Sequence, residues 1–138
     1  MDFKFFQLPK EAIAPLWPMI EPRVKSGVDR SSGRLTIETA FALITSGEWQ
    51  CWTFWEGQKC LAVVITRINL ESSGTKTLEA LMASGEEREK WQRPAIEGLK
   101  KFARDERCSL FELIARPGWE RVFPDFTKTH VMLEWKVT

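Results

Sequence analysis

Four polar side chains in strand-like runs of this chain are of the types that act as general bases: Glu79, Glu112, Glu134 and His130. A carboxylate or an imidazole can remove a proton from a reacting amine when it is held within hydrogen-bonding distance. Nothing in the spacing singles out one of the four, and His130, at the start of an outer strand, also fits an exposed, solvated position. The 138 residues include no tyrosine, so a phenol is excluded as the general acid.

A second candidate site is cationic and aromatic, with two arginines around a tryptophan after a strand-like run: Arg116, Gly118, Trp119 and Arg121. Open sheets often bind ligands at the carboxyl ends of their strands. This cluster therefore predicts a recognition site for a phosphate, a carboxylate or a protein chain. In the structural alternative, Trp119 covers the core and the arginines pair with neighbouring carboxylates, namely Glu112, Glu120 or Asp125.

An aromatic strand supplies the third candidate. Residues 49–55 alternate, so that Trp52 and Phe54 lie on the face opposite Trp49 and Trp55. If Trp52 and Phe54 are exposed, they predict a protein interface, because tryptophan is enriched at binding hot spots. Coverage of that face by the two N-terminal helices is the alternative.

Composition excludes several classes of function. The three cysteines, Cys51, Cys60 and Cys108, show no C-x-x-C spacing and there is one histidine, so no metal site is expected. Cysteines within apolar runs behave as core residues, and free thiols suit a reducing compartment. Twenty Lys and Arg against 19 Asp and Glu leave a net charge of +1, which favours neither nucleic acid nor membrane as a partner. The N-terminus lacks the pattern of a signal peptide, and no run reaches the roughly 20 apolar residues of a membrane span.

The length predicts a single domain over residues 1–138. Hydrophobic periodicity predicts a strand over residues 3–8, a helical segment over 10–24 and a helix over 36–46. A three-strand meander is predicted over 49–55, 60–68 and 76–83. It is followed by a helix ending near Arg107, a strand over 108–115, a short helical turn over 119–126 and a last strand over 130–137. Strands 76–83 and 108–115, joined by a helix, are expected to be parallel. An interior proline costs about 3 kcal/mol, so Pro15, Pro18 and Pro22 predict a broken or kinked first helix, and Pro94 a kink or restart in the third.

This order predicts an α+β domain with a mixed sheet, and over nearly the whole chain it resembles the GCN5-related N-acetyltransferase (GNAT) fold. In that family a glycine-rich turn, Arg/Gln-x-x-Gly-x-Gly/Ala, binds the pyrophosphate of acetyl-coenzyme A through backbone N–H groups at a helix start. The matching stretch here, Ser84-Gly85-Glu86-Glu87-Arg88-Glu89-Lys90-Trp91, has one glycine, in a different place, and three carboxylates. If a cofactor binds, the resemblance implies that Leu81, Met82 and Ala83 hold the pantetheine arm, and Gly85 and Arg88 the pyrophosphate.

The last motif of the family, Asn-x-x-Ala…Tyr…Gly-Phe, has Asp125-Phe126 at the Gly-Phe position here and no tyrosine. The arrangement is similar to divergent acetyltransferase-like proteins of tailed bacteriophages and prophages, which carry a segment of the form Arg-x-Gly-Trp-x-Arg after a glycine-bounded helix and a Trp-containing strand. Residues 116–121 fit the segment, and Gly47 with Trp49 or Trp52 fits what precedes it. The resemblance implies a location in the host-cell cytoplasm or the assembled virion, with no secretion through a signal peptide.

Two functions follow from these resemblances. The first is a non-catalytic virion component or protein-binding module that has lost its cofactor turn, binds no cofactor and associates with a protein partner or with itself. The second is an acetyl-coenzyme A-dependent N-acetyltransferase with a relaxed phosphate loop and a glutamate base. The three carboxylates and the missing tyrosine favour the non-catalytic module. The positive charges of Arg88 and Lys90 partly offset the negative charge of the carboxylates, which keeps the acetyltransferase open as an alternative. A different α+β arrangement remains a third alternative, and a splay between strands 76–83 and 108–115 is the feature that decides.

Overall fold

A computed structural model describes residues 3–31, 33–114 and 121–137 of the chain. The elements, in order, are β1 (Phe3–Gln7), α1 (Lys10–Asp29), α2 (Ile37–Thr45), β2 (Trp49–Glu56), β3 (Lys59–Leu70), β4 (Lys76–Gly85), α3 (Arg88–Asp105) and β5 (Leu110–Leu113). The five strands form one sheet in the order β1-β2-β3-β4-β5. Neighbours from β1 to β4 are antiparallel, and β4 and β5 are parallel. The expected α+β class, with its meander and its parallel pair, is confirmed.

Helices cover both faces of this sheet. On one face α1 and α2 pack their buried residues, among them Ile20 and Ile44, against Val63 and Ile65 of β3. On the other face α3 packs Trp91, Ala95 and Leu99 onto the alternate side chains of the strands. Because successive strand residues point to opposite faces, the continuous apolar run of β3 supplies both cores at once.

The first helix is continuous, so a break, which was one of the two alternatives expected at its prolines, does not occur. The helix runs from Lys10 to Asp29 through Pro15, Pro18 and Pro22, and all three prolines are exposed. A proline leaves the carbonyl four residues earlier without its N–H donor, and that carbonyl lies on the same face of the helix. On this helix the unbonded carbonyls therefore face solvent and water can satisfy them. Pro94 of α3 is likewise exposed within a continuous helix.

Trp52 and Phe54 lie in the core, which corrects their assignment to an exposed protein interface. Trp52 is 6% exposed and Phe54 0%. The cover is α3 and β1, whereas the N-terminal helices lie on the opposite face. The Trp52 ring stacks on Phe5 with 5.4 Å between ring centroids and meets Phe102 edge-on at 5.0 Å. Its Nε1 donates a 3.0 Å hydrogen bond to the Thr66 hydroxyl.

The C-terminal part of the chain departs furthest from the predicted elements. The last sheet strand spans Leu110–Leu113, shorter than the predicted 108–115. Residues 121–126 form turns, and residues 127–137 carry no regular secondary structure. The predicted final strand over 130–137 is therefore wrong for this structure, although its sequence alternates as a strand does. A strand needs a neighbouring strand to satisfy its backbone, and the alternation alone provides none.

Candidate functional site

The sheet opens where β4 continues past the end of β5. The parallel pairing runs from Thr77 opposite Leu110 to Ala80 opposite Leu113, and β4 continues to Gly85. Among the described residues, no strand pairs with the last five residues of β4 on the side away from β3.

Backbone polar groups of β4 face this opening. The N–H of Glu86 donates a 3.0 Å hydrogen bond to the carbonyl oxygen of Leu61 on β3. Residues of an antiparallel strand alternate between facing their partner and facing away, so the N–H and C=O groups of Gly85 and Ala83 point away from β3. The register shifts between Ile65 and Thr66, which leaves Leu81 as the extra residue of a β-bulge.

The predicted cofactor residues of β4 divide between the opening and the core. The carbonyl oxygen of Ala83 accepts a 3.3 Å hydrogen bond from Nη2 of Arg30, the residue after α1. The side chain of Met82 is buried and packs beside Gly27 of α1. Ala83 and Gly85 therefore present backbone to the opening, while the Met82 side chain belongs to the core under α1 and α2.

Ion pairs neutralise the acidic residues at the start of α3. Oε1 of Glu86 lies 3.0 Å from Nη2 of Arg23 and 2.5 Å from Nζ of Lys59. The hydrogen bond from Lys59 and the charge of Arg23 lower the pKa of Glu86. The sequence does not identify Arg23 and Lys59 as partners of Glu86, because Arg23 lies on α1, Lys59 begins β3, and no short motif links them.

A second set of ion pairs centres on Lys90. Its Nζ lies 2.8 Å from Glu56 and 2.9 Å from Glu87, and hydrogen bonds to these two carboxylates raise the pKa of Lys90. Of the three carboxylates in the predicted phosphate turn, Glu86 and Glu87 are thus held by lysine or arginine. The repulsion that they would exert on an anion is largely offset.

The N-terminus of α3 lies directly after this turn. Its N-cap residue, Glu87, has a φ of +54° and makes no side-chain hydrogen bond to the helix. The first N–H groups of a helix have no partners within the helix and carry partial positive charge. Arg88, the first residue of α3, is exposed beside them. The backbone and the cations at this point can therefore receive an anion.

An acyl-coenzyme A fits these groups. Its pantetheine arm contains amides, which can hydrogen-bond to the N–H and C=O groups of Ala83 and Gly85 that point away from β3. Its phosphates suit the N-terminus of α3 and the nearby cations. The carbonyl of Ala83 already accepts a hydrogen bond from Arg30. Binding of the arm at this carbonyl would have to replace that hydrogen bond with one from an amide N–H of the arm.

Two of the four candidate general bases lie near the point where β4 and β5 stop pairing. Glu79 and Glu112 are register partners on β4 and β5, one position before the last pair, and their side chains project from the same face. Oε1 of Glu79 accepts a 2.9 Å hydrogen bond from Nε of Arg67, which fixes that carboxylate. His130 and Glu134 lie in the exposed C-terminal segment instead, where Glu134 pairs with Arg34 at 2.6 Å.

Most of the predicted cationic and aromatic cluster lies outside the described residues. Arg116, Gly118 and Trp119 lie outside the described residues, and Arg121 is exposed where the turns of 121–126 begin. Asp125, which could have paired with one of the arginines, forms its ion pair with Lys100 of α3.

Thiol and metal chemistry find no support in the part of the chain that is described. Burial raises the pKa of Cys51 to about 12 and that of Cys60 to about 11, which makes both thiols inert, as expected of core cysteines. No cluster of three or more metal-ligating side chains occurs among residues 3–31, 33–114 and 121–137. Over the same residues, none of the helices combines the length and apolar character needed to cross a bilayer.

Neither a family model nor a curated protein matches the sequence. Solved structures do match. An aminoglycoside acetyltransferase from an uncultured soil metagenomic sample aligns with a TM-score of 0.71 at 10% identity, over 99% of this chain and 97% of its own. Glucosamine-6-phosphate N-acetyltransferase from Arabidopsis thaliana aligns with a TM-score of 0.70 at 13% identity, over 100% of both chains. A GNAT family acetyltransferase from Staphylococcus aureus aligns with a TM-score of 0.70 at 7% identity, over 99% of this chain and 100% of its own.

These alignments show that the chain has the fold of GNAT acetyltransferases. The predicted GNAT-like fold is confirmed. At these identities the alignments carry no information on substrate, and the resemblance to phage and prophage proteins stays a prediction.

Proposed function

We propose that this chain binds an acyl-coenzyme A along the open edge of β4 and transfers the acyl group to an amine. The observation that carries the proposal is the five-residue extension of β4 beyond its pairing with β5, which ends at Ala80. It turns backbone groups of Ala83 and Gly85 away from β3, beside a helix N-terminus that has no side-chain cap; of these groups, the Ala83 carbonyl is occupied by Arg30. This reverses the preference for a non-catalytic module that the carboxylates of the turn suggested, because Glu86 and Glu87 are neutralised by neighbouring cations.

The chain's own groups have separate tasks in this reaction. The backbone of Ala83 and Gly85 orients the arm of the bound thioester, which supplies an activated acyl group. The N-terminus of α3, with Arg88, holds the phosphates. In acyl transfer a C–N bond would form, the C–S bond of the thioester would break, coenzyme A would leave as a thiolate and the amine would lose a proton. Among the described residues, Glu79 is the best placed to take that proton: Arg67 fixes it, and it lies next to the point where β4 and β5 stop pairing.

The proposal is tested by isothermal titration with acetyl-coenzyme A, together with a thermal-shift assay. A ligand at 100 times its dissociation constant stabilises a protein by about 2.7 kcal/mol, which gives a visible rise in melting temperature. Acetyl-pantetheine, which lacks the nucleotide, is expected to bind more weakly because it leaves the helix N-terminus empty. No heat and no shift at millimolar acetyl-coenzyme A would contradict the proposal.

The assignment of Glu79 has its own test. With an amine acceptor that supports turnover, Glu79→Gln is expected to lower kcat by about 10²- to 10⁴-fold, as loss of a general base does. Glu112→Gln is the matched control, since it makes the same change on the neighbouring strand. Equal losses in the two variants would show that Glu79 is not the base.

The second candidate function is the non-catalytic protein-binding module, for which the expected resemblance to phage proteins implies a virion location. Two observations favour it: Arg30 already occupies the carbonyl of Ala83, and apolar side chains of residues 131–137 are exposed. Binding of acetyl-coenzyme A would count against this function. Its location in the host cytoplasm or the virion stays a prediction.

A further inference from the structure

An open groove lies between α1 and α2. Its volume is about 380 Å³, which falls within the roughly 300–1,000 Å³ of pockets that bind small molecules. The described residues that line it all belong to the two helices: Trp17, Glu21, Lys25, Ile37, Glu38 and Phe41. No described residue of β4 or β5 is among them, so the groove is separate from the opening beside β4.

Two aromatic rings, one from each helix, form the apolar part of the groove. Trp17 and Phe41 meet edge-on, with 4.6 Å between ring centroids and an angle of 69° between the ring planes. Both pack against the core under α1 and α2, and both stay half-exposed. In an edge-to-face pair, the ring that presents its edge keeps its own faces available, and the face of an aromatic ring attracts cations. This part of the groove can therefore accept an apolar group or a cation.

Each helix also contributes a carboxylate to the groove. Glu21 of α1 is half-buried and Glu38 of α2 is exposed. Neither forms an ion pair with a residue in the described part of the chain. Lys25, the cation that lines the groove, is itself 3.2 Å from Asp29 on its own helix. The carboxylates of the turn before α3 are held by cations, whereas these two are not.

The charge of the groove selects the kind of ligand that fits it. A neutral apolar molecule would remove water from Glu21 without supplying an opposite charge, and an unpaired carboxylate is costly to bury. An anion would be repelled by both carboxylates. A positively charged group supplies the missing partner, and an apolar body attached to it covers the aromatic rings.

We propose that the groove between α1 and α2 binds a small organic cation, an ammonium group attached to an apolar body. The ammonium group faces the carboxylates of Glu21 and Glu38, and the apolar body packs on Trp17, Ile37 and Phe41. The site shares no residue with the opening beside β4, so its ligand binds whether or not an acyl-coenzyme A does.

The test is calorimetric titration of the full chain with three probes that share one apolar body. Protonated 2-phenylethylamine carries a positive charge, 2-phenylethanol is neutral and phenylacetate is negative. The amine is expected to bind roughly tenfold more tightly than the alcohol, the combined scale of one exposed ion pair and one cation–π contact. Phenylacetate is expected not to bind. In NMR spectra of the backbone amides, the largest shifts caused by the amine should fall in α1 and α2.

Two double variants separate the groove from a general effect of net charge. Glu21→Gln with Glu38→Gln should reduce the affinity for the amine to about that for the alcohol. Glu11→Gln with Glu48→Gln is the matched control, because it removes two carboxylates at exposed positions that do not line the groove, and it should bind the amine as the wild type does. Circular dichroism confirms that each variant is folded.

Several results would overturn the proposal. These are no binding of the amine at millimolar concentration, equal affinities for the amine and the alcohol, and equal losses in the two double variants. Displacement of the amine by acetyl-coenzyme A would also overturn it, because the amine would then occupy the opening beside β4. Failure of acetyl-coenzyme A to bind at all would contradict the proposed acyl transfer and leave the expected results for the groove unchanged.

Discussion

Arg23 and Glu86 form an ion pair 3.0 Å long between α1 and the turn that joins β4 to α3. Lys59 binds the same carboxylate oxygen at 2.5 Å. Glu86 thus occupies two cations at the point where the proposed cofactor would place its phosphates. The carboxylate acts as an internal anion, and a bound phosphate has to compete with it.

Removing that internal anion is expected to strengthen cofactor binding. Glu86→Gln keeps the size of the side chain and releases the charges of Arg23 and Lys59, so the dissociation constant of acetyl-coenzyme A should fall by roughly fivefold, the scale of an exposed ion pair. The matched control is Glu89→Gln, which makes the same change in charge in the first turn of α3, where no ion pair of Glu89 occurs within the described residues. Calorimetric titration of the three proteins decides: an equal gain in both variants would show a general effect of net charge.

The same ion pairs predict a contribution to stability that is lost in acid. The folded state lowers the pKa of Glu86 below its ordinary 4.5, so its contribution is complete above about 4.5 and disappears as the pH falls through the lowered pKa. Glu86→Gln should therefore lose less stability than the wild type over this acidic range, by a small margin because the carboxylate is solvent-exposed. Urea denaturation between pH 6 and 3 measures the difference. Parallel curves for the two proteins would contradict the assignment.

Most helices and strands were predicted from the sequence because the residue patterns that indicate them are local. Thr36 caps α2 by accepting a 3.1 Å hydrogen bond from the N–H of Thr39, and Gly47 follows that helix with a φ of +85°; threonine and glycine are residue types that mark helix ends in a sequence. The continuous apolar run of β3 is typical of a strand covered on both faces. The coverage of Trp52 depended on where α3 lies relative to the sheet, and no local pattern determines that.

The uninterrupted first helix shows why a propensity rule failed. A proline is costly because of the carbonyl that it leaves unbonded, and that cost depends on whether water can reach the carbonyl. The prolines at 15, 18 and 22 share one side of α1, whereas Ile13, Ile20 and Val24 are buried on the other. The spacing of the prolines was visible in the sequence and predicts an exposed row on one side of a continuous helix.

Replacing one of these prolines is expected to stabilise the fold. Pro18→Ala restores an N–H that can bond the carbonyl of Ala14, a change worth up to about 3 kcal/mol in helix propensity. A more flexible unfolded chain offsets up to about 1 kcal/mol of it, so a net gain of about 1–2 kcal/mol is expected. Pro9→Ala is the control: Pro9 precedes α1 as its N-cap, and its replacement gains no helical hydrogen bond. Urea denaturation would contradict the prediction if Pro18→Ala were no more stable than Pro9→Ala.

The candidate site was only partly predictable. The segment from Leu81 to Arg88 was located through its resemblance to a family turn, and in the structure the backbone groups of Ala83 and Gly85 point away from β3, toward the opening. The cations that neutralise Glu86 come from α1 and β3, far away in sequence. Their convergence is a property of the packed fold, which is why the carboxylates looked more repulsive in the sequence than they are in the structure.

Gly85 is expected to be needed for the close packing of β4 against β3, whether or not a ligand binds. A Cβ at this position would overlap the carbonyl oxygen of Leu61 and lie 2.7 Å from the Cβ of Ala62. The Leu61 carbonyl already accepts the N–H of Glu86, so neither backbone can move without loss of that bond. Gly85→Ala should lower the free energy of unfolding by about 2–3 kcal/mol, the upper range for overpacking.

Gly27→Ala is the matched comparison for Gly85→Ala. Its Cβ would lie 2.6 Å from both Cε and Sδ of Met82, but these are the end of a flexible side chain that can rotate away. Alanine also gains up to about 1 kcal/mol over glycine within a helix, so the net change should stay within about 1 kcal/mol. Met82→Ala removes the atoms that a Cβ at position 27 would meet. In the double variant Gly27→Ala with Met82→Ala, the alanine at position 27 should therefore cause no loss of stability through this clash. Urea denaturation of the wild type, the three single variants and the double variant measures these differences, and a Gly27→Ala variant as unstable as Gly85→Ala would show that flexible and rigid neighbours respond alike at these two positions.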